Sequence, residues 1–275
     1  MQHIRLNDFL MAFDDIGDGF PLLFIHGYPL SRRLWKPQIE GLSDIARVIA
    51  PDLRGHGNST TGISSGGGDV PYSMEMLADD CAQLLDTLKI DQPIILCGLS
   101  MGGYVSFAFY RKYPHRVAGL ILAATRAIAD SPAVKENRRK GIDRILSTGI
   151  DPIIDSMLPM LISPSSKVGN PALVEFVREI MHSVSVEGMI GDLLGMMERP
   201  DSTPLLTDIN VPTIILMGNE DQIIPLNEAE EMHAAISGSK LVILPQAGHL
   251  LNLEQPDLFN DVVREYLITS IGGGR

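Results

Sequence analysis

A serine flanked by glycines, Gly98-Leu99-Ser100-Met101-Gly102-Gly103, follows the apolar run Pro93-Ile94-Ile95-Leu96-Cys97 and precedes the helix-forming stretch Tyr104-Val105-Ser106-Phe107-Ala108-Phe109-Tyr110. This order of strand, tight turn and helix lifts a hydroxyl clear of a sheet edge, and glycine allows the sharp backbone it needs. The start of the helix also leaves free N–H groups beside that hydroxyl. Two readings follow: Ser100 as a helix N-cap, or Ser100 as a nucleophile. The second requires a base, an acid to orient the base, and donors for an oxyanion.

His249 lies in Pro245-Gln246-Ala247-Gly248-His249-Leu250, after the last apolar strand-like run. In a parallel sheet the loops at the carboxyl ends of the strands share one edge, which brings such a histidine toward Ser100. His3, His115, His182 and His233 lack this setting. The acid is expected in Gly218-Asn219-Glu220-Asp221-Gln222, which directly follows the apolar run 213–217: Asp221 is the first choice and Glu220 the alternative. The run 117–123 leads into Ala124, Thr125 and Arg126 and offers no carboxylate. Oxyanion donors are expected from the backbone N–H of Met101, just after the serine, and of Tyr28 in His26-Gly27-Tyr28-Pro29. His26 is read as a support for that loop rather than as an acid or base.

Positioning these residues demands a particular order of elements. Strands are predicted over residues 4–7, 9–13, 21–25, 47–50, 93–97, 117–123, 213–217 and 241–244. Helices are predicted over 35–42, 74–88 with Ser73 as its cap, the stretch after Ser100, 226–236 and 256–268. Such alternation implies an α/β fold with a mostly parallel sheet covered on both faces. From 126 to 206 the alternation stops, and the chain is rich in helix formers, methionine and proline. Because strands resume afterwards, residues 1–125 and 207–275 are expected to form one core domain, and 126–206 a helical cap inserted in it. Residues 62–68 are expected to form a mobile loop, and 272–275 a frayed tail.

Composition narrows the function. The chain has 275 residues, 45% of them hydrophobic, enough for one large core. A net charge of −12 argues against nucleic acid and anionic membrane surfaces as partners. Arg138-Arg139-Lys140 is the one compact basic cluster, read as a solvated helix face. Both cysteines, Cys81 and Cys97, are read as reduced. With no secretory signal and no run of about 18 apolar residues, a cytoplasmic location is expected. The scattered histidines form no metal-ligand spacing, so neither metal nor cofactor is expected. Oligomeric state is left open.

These elements together resemble the α/β-hydrolase superfamily over nearly the whole chain. His26-Gly27-Tyr28-Pro29 resembles its H-G-x-P loop, and Asp52-Leu53-Arg54-Gly55-His56-Gly57-Asn58-Ser59 resembles its D-x-R-G-x-G-x-S segment, taken here as structural. The order Ser, Asp, His is also that of the superfamily. The wording around Ser100 is similar to that of small bacterial serine esterases and 3-oxoadipate enol-lactonase-like proteins. The resemblance implies a serine hydrolase acting on small-molecule carboxylic esters or lactones through an acyl-enzyme. Alternatives on the same machinery are a C–C bond hydrolase, a perhydrolase or a lyase, and beyond them a non-catalytic small-molecule binding protein. In the insertion, Met157, Met160 and Leu161 are candidate pocket residues, suited to an uncharged, mostly apolar substrate. Arg126 is the candidate for a substrate carboxylate, against a surface or hinge salt bridge.

Overall fold

The computed structural model describes residues 1–62 and 70–272, so apart from Gly62 and Gly272 the expected mobile loop and frayed tail lie outside the described residues. In chain order, β1 (Gln2–Leu6) and β2 (Phe9–Ile16) form a hairpin, followed by β3 (Phe20–Ile25), α1 (Lys36–Leu42), β4 (Ala46–Pro51) and α2 (Met74–Thr87). Next come β5 (Ile94–Leu99), α3 (Met101–Lys112) and β6 (Val117–Ala123). Five helices succeed one another without a strand: α4 (Pro132–Thr148), α5 (Asp151–Leu161), α6 (Pro164–Gly169), α7 (Pro171–His182) and α8 (Val186–Glu198). The alternation then resumes with β7 (Thr213–Gly218), α9 (Leu226–Ala235), β8 (Lys240–Leu244), α10 (Leu251–Glu254) and α11 (Pro256–Gly272).

The sheet order is β1-β2-β4-β3-β5-β6-β7-β8, parallel from β4 to β8 and antiparallel at β1, β2 and the β2–β4 pairing. Strands β5 and β7 are buried at every position, because parallel strands covered by helices on both faces need apolar residues throughout. Helices α2 and α3 pack together, as do α1 and α11. Between α1, α11 and the sheet, Trp35 stacks near Phe24, with ring centroids 4.5 Å apart. From β3 the chain crosses to β4 on one side and returns to β5 on the other. The loops after β3 and β5 therefore diverge at a topological switch point, where α/β sheets open a crevice.

Two elements differ from expectation. The helix expected over 35–42 starts as a 3₁₀ turn, Arg32–Trp35, and becomes α-helical at Lys36, since Pro37 fits only the first turn of a helix. The short helix α10 escaped notice, because four residues carry too little periodicity to register. The proline-rich insertion folds into helices for a readable reason. Ser131, Ser163, Asn170 and Ser185 cap α4, α6, α7 and α8 with their side-chain oxygens, and Pro132, Pro164 and Pro171 occupy first turns where no N–H is required. No helix among the described residues is long and apolar enough to cross a membrane.

Candidate active site

Ser100 joins β5 to α3 with φ 56° and ψ −115°, a left-handed conformation costing on the order of 1–3 kcal/mol for a residue with a side chain. The fold holds it there: its N–H donates to the Ala123 carbonyl at 2.9 Å, and its own carbonyl accepts from Thr125 Oγ1 at 2.8 Å. The neighbouring glycines are required by close approach. A Cβ on Gly98 would lie 2.2 Å from the Gly102 carbonyl oxygen, and one on Gly102 would lie 2.2 Å from that of Ile25. Although Ser100 occupies the N-cap position of α3, its hydroxyl makes no capping bond. The strained turn thus does not use its side chain to start the helix.

His249 follows β8 and is almost fully buried, with Nδ1 2.9 Å from Asp221 Oδ2. A carboxylate only accepts, so Nδ1 carries the proton and Nε2 is left with its lone pair. The other Asp221 oxygen accepts from the N–H groups of Ile223 at 2.8 Å and Ile224 at 3.0 Å. Burial alone would raise the Asp221 pKa, but His249 and these two amides outweigh it and hold the carboxyl below its usual value. Glu220, the alternative acid, points elsewhere: Ser165 of the insertion donates to its carboxylate at 3.2 Å. The loops themselves are tied together, the Glu220 N–H donating to the Ala247 carbonyl at 2.8 Å.

Met101 directly follows the serine, and Tyr28 lies in the loop after β3. Met101 opens α3, where an N–H has no acceptor within its own helix. Gly27 draws the preceding loop close: a Cβ there would stand 3.1 Å from Ser100 Cβ and 3.0 Å from the Leu99 carbonyl oxygen. His26 braces this loop, its Nδ1 donating to the Gly27 carbonyl at 3.0 Å while Nε2 accepts from the Leu53 N–H at 3.0 Å. Burial pushes its pKa well down, so it stays a neutral strut. Asp52 is equally structural. It accepts from the Arg32 N–H at 2.7 Å and the Asn58 N–H at 2.8 Å, and it pairs with the Arg32 guanidinium.

The candidate substrate residues separate. Met157 and Tyr28 line a cavity of about 300 Å³ together with Ile153, Leu193, Asn137 and Arg138. Leu161 is buried, and its carbonyl accepts from Leu250 N–H at 3.1 Å, next to His249. Met160 is 40% exposed and turns to solvent, because it lies on the outer face of α5, one residue beyond Pro159 and opposite Leu158 and Leu161. Arg126 forms a part-buried ion pair with Glu228 of α9 at 3.1 Å. A larger hollow of about 380 Å³, lined by Asp14, Arg32, Lys36 and Phe176 among others, contains none of the catalytic candidates.

Sequence reading missed Glu254. Its carboxylate accepts from Gly248 N–H at 2.9 Å and from Ser163 N–H at 3.0 Å, fastening the histidine loop to the insertion. A glutamate in a short helix carries no signal of that reach. Among the described residues, no three histidine, cysteine or acidic side chains are grouped to hold a metal.

The family model described as the alpha/beta hydrolase fold matches residues 21–144, and one described as TAP-like protein matches residues 196–271. A thermophilic esterase from Thermogutta terrifontis, solved with malate bound, shares 43% identity at a TM-score of 0.93, covering 98% of this chain and 99% of its own. The enol-lactonase from Burkholderia xenovorans LB400 has a TM-score of 0.87 at 26% identity, covering 97% and 99% of the two chains. The curated 3-oxoadipate enol-lactonase 2 of Acinetobacter baylyi is 28% identical over 242 residues, 88% of this chain and 86% of its own length. With its sheet order, its serine turn and these likenesses, the chain belongs to the α/β-hydrolase family.

Proposed function

We propose that the protein is a serine hydrolase of carboxylic esters or lactones. Ser100 attacks the carbonyl carbon while His249 Nε2 takes its proton, and Asp221 stabilises the imidazolium so formed. The N–H groups of Tyr28 and Met101 hold the oxyanion. Collapse of the tetrahedral intermediate returns the proton to the departing alkoxide and leaves an acyl-serine, which water activated by His249 then releases. The helices α4–α8 act as a cap over this edge of the sheet, and the substrate is an uncharged, mostly apolar ester or lactone received between Tyr28, Met157 and Leu193.

The observation that carries the reading is the buried His249–Asp221 contact at 2.9 Å, on the sheet edge that also bears a strained serine whose hydroxyl caps nothing. The esterase and enol-lactonase names of its relatives support the same reaction class. Rapid-mixing kinetics with p-nitrophenyl esters test it. A burst of nitrophenol is expected from the wild type, and none from a folded Ser100→Ala variant. Wild-type turnover no faster than that of Ser100→Ala, on every ester and lactone tried, would sink the proposal.

A further inference from the structure

His56 belongs to the Asp52–Ser59 loop of the core, and Asp192 to α8 of the insertion, yet the two meet with both side chains wholly buried, His56 Nε2 lying 2.8 Å from Asp192 Oδ2. At that distance, and with water excluded from both side chains, the two groups interact strongly. The opposite ring nitrogen, Nδ1, donates to the Leu30 carbonyl at 2.7 Å. Leu30 in turn donates its N–H to the Gly27 carbonyl at 3.0 Å, closing the turn that contains Tyr28. One imidazole thus spans from the helical insertion to the loop bearing a proposed oxyanion donor.

The surrounding backbone enforces this contact. Ser185 donates its N–H to the Gly55 carbonyl at 2.8 Å, and a Cβ on Gly188 would stand 2.6 Å from that same carbonyl oxygen. Residues 185, 188 and 192 are spaced three and four apart, so one face of α8 rests on the 55–56 turn. Burial pushes the Asp192 pKa up; burial also opposes charge on His56, but Asp192 outweighs it and the His56 pKa rises. A buried pair of this kind adds little net stability compared with apolar packing, so its use is sought in what it orients.

We propose that His56 and Asp192 are positioning residues that clamp α8 to the Tyr28 loop, so that the oxyanion site is fully formed only when the insertion is seated. The proposal rests on the hydrolase reading above. It gives the Asp52–Ser59 segment a role in catalysis at one remove, through His56, and makes the insertion part of the machinery.

The test compares wild type, Asp192→Asn and the double variant His56→Asn/Asp192→Asn. The readouts are kcat and KM on a p-nitrophenyl ester, and affinity for an aryl trifluoromethyl ketone, whose serine hemiketal bears an oxyanion. Asp192→Asn is expected to lower kcat roughly ten- to a hundredfold, on the scale of a misplaced catalytic group. KM should stay within about twofold and ketone affinity should fall by the same factor as kcat, because an oxyanion donor acts on the transition state rather than the bound ester. The double variant should fall no further, since the two residues act as one unit. Folded variants with unchanged kcat and ketone affinity would overturn the proposal, as would a loss confined to KM. Failure of both variants to fold would also overturn it, marking the pair as a stability element. A wild type inactive on all esters and lactones is a different result: it removes the hydrolase reading, and the positioning role with it.

Discussion

At the scale of single residues, the choice between Glu220 and Asp221 turns on direction rather than chemistry. Both are carboxylates in one turn, but only Asp221 meets His249, while Glu220 receives Ser165 of the insertion. Asp221→Asn is therefore expected to reduce kcat on an activated ester by about 10⁴-fold, through loss of the correct imidazole tautomer. Glu220→Gln should stay within a few-fold of wild type, and steady-state kinetics on the two variants decide the matter. The residue types of the candidate site were legible because the glycine-flanked serine sits between an apolar strand and a helix and the histidine follows the last strand; neither signal is informative without that context. The two adjacent carboxylates could be ranked, with Asp221 first, but not separated, since their directions depend on how the turn is anchored: here, by the Ile223 and Ile224 amides on Asp221.

Among the elements, the insertion is fastened to the core by a cluster at its root. Asp130 is buried between Arg199, at 2.6 Å, and Arg138, at 2.5 Å, and the Arg199 guanidinium lies over the Tyr104 ring, 4.0 Å from its centroid. Burial would raise the Asp130 pKa, but the two guanidinium groups outweigh it and hold the carboxyl below its usual value. A depressed acid adds stability above its unfolded-state pKa of about 3.9, and that stability is lost as pH falls through the folded value. Asp130→Asn should thus lower the thermal midpoint at pH 7, by an amount equivalent to about 3 kcal/mol. The gap to wild type should narrow as pH falls below about 4, which calorimetry across the acid range checks. The start of α3 makes a sterically driven case. Gly102→Ala would drive a methyl into the Ile25 carbonyl, so the variant is expected to lose both soluble yield and activity relative to wild type. Strands and long helices were readable because burial on both sheet faces and capping serines leave local marks; α10 and the 3₁₀ turn before α1 were too short to leave any.

For the whole molecule, stability comes from one continuous core running through the sheet and both helical layers. Cys81 and Cys97 are free and fully buried in it, and burial pushes both thiols up and away from the reactive thiolate. Both should react with a thiol reagent only at the rate of global unfolding, and a reducing agent should not move the thermal midpoint. Labelling of the native protein within seconds at low temperature would contradict this.

The chain order alone determined the class of fold and the residue types at the serine turn, and it showed that helices rather than strands fill the stretch between β6 and β7. These follow from burial periodicity, caps and glycines, which act over a few neighbouring positions. Tertiary structure decided which carboxylate meets His249, that Met160 turns outward, that Arg126 pairs with Glu228, and that Glu254 and the His56–Asp192 pair tie the insertion to the core. Those contacts join residues far apart in sequence, and their geometry is set by strand register and helix rotation, which no local pattern of side chains encodes.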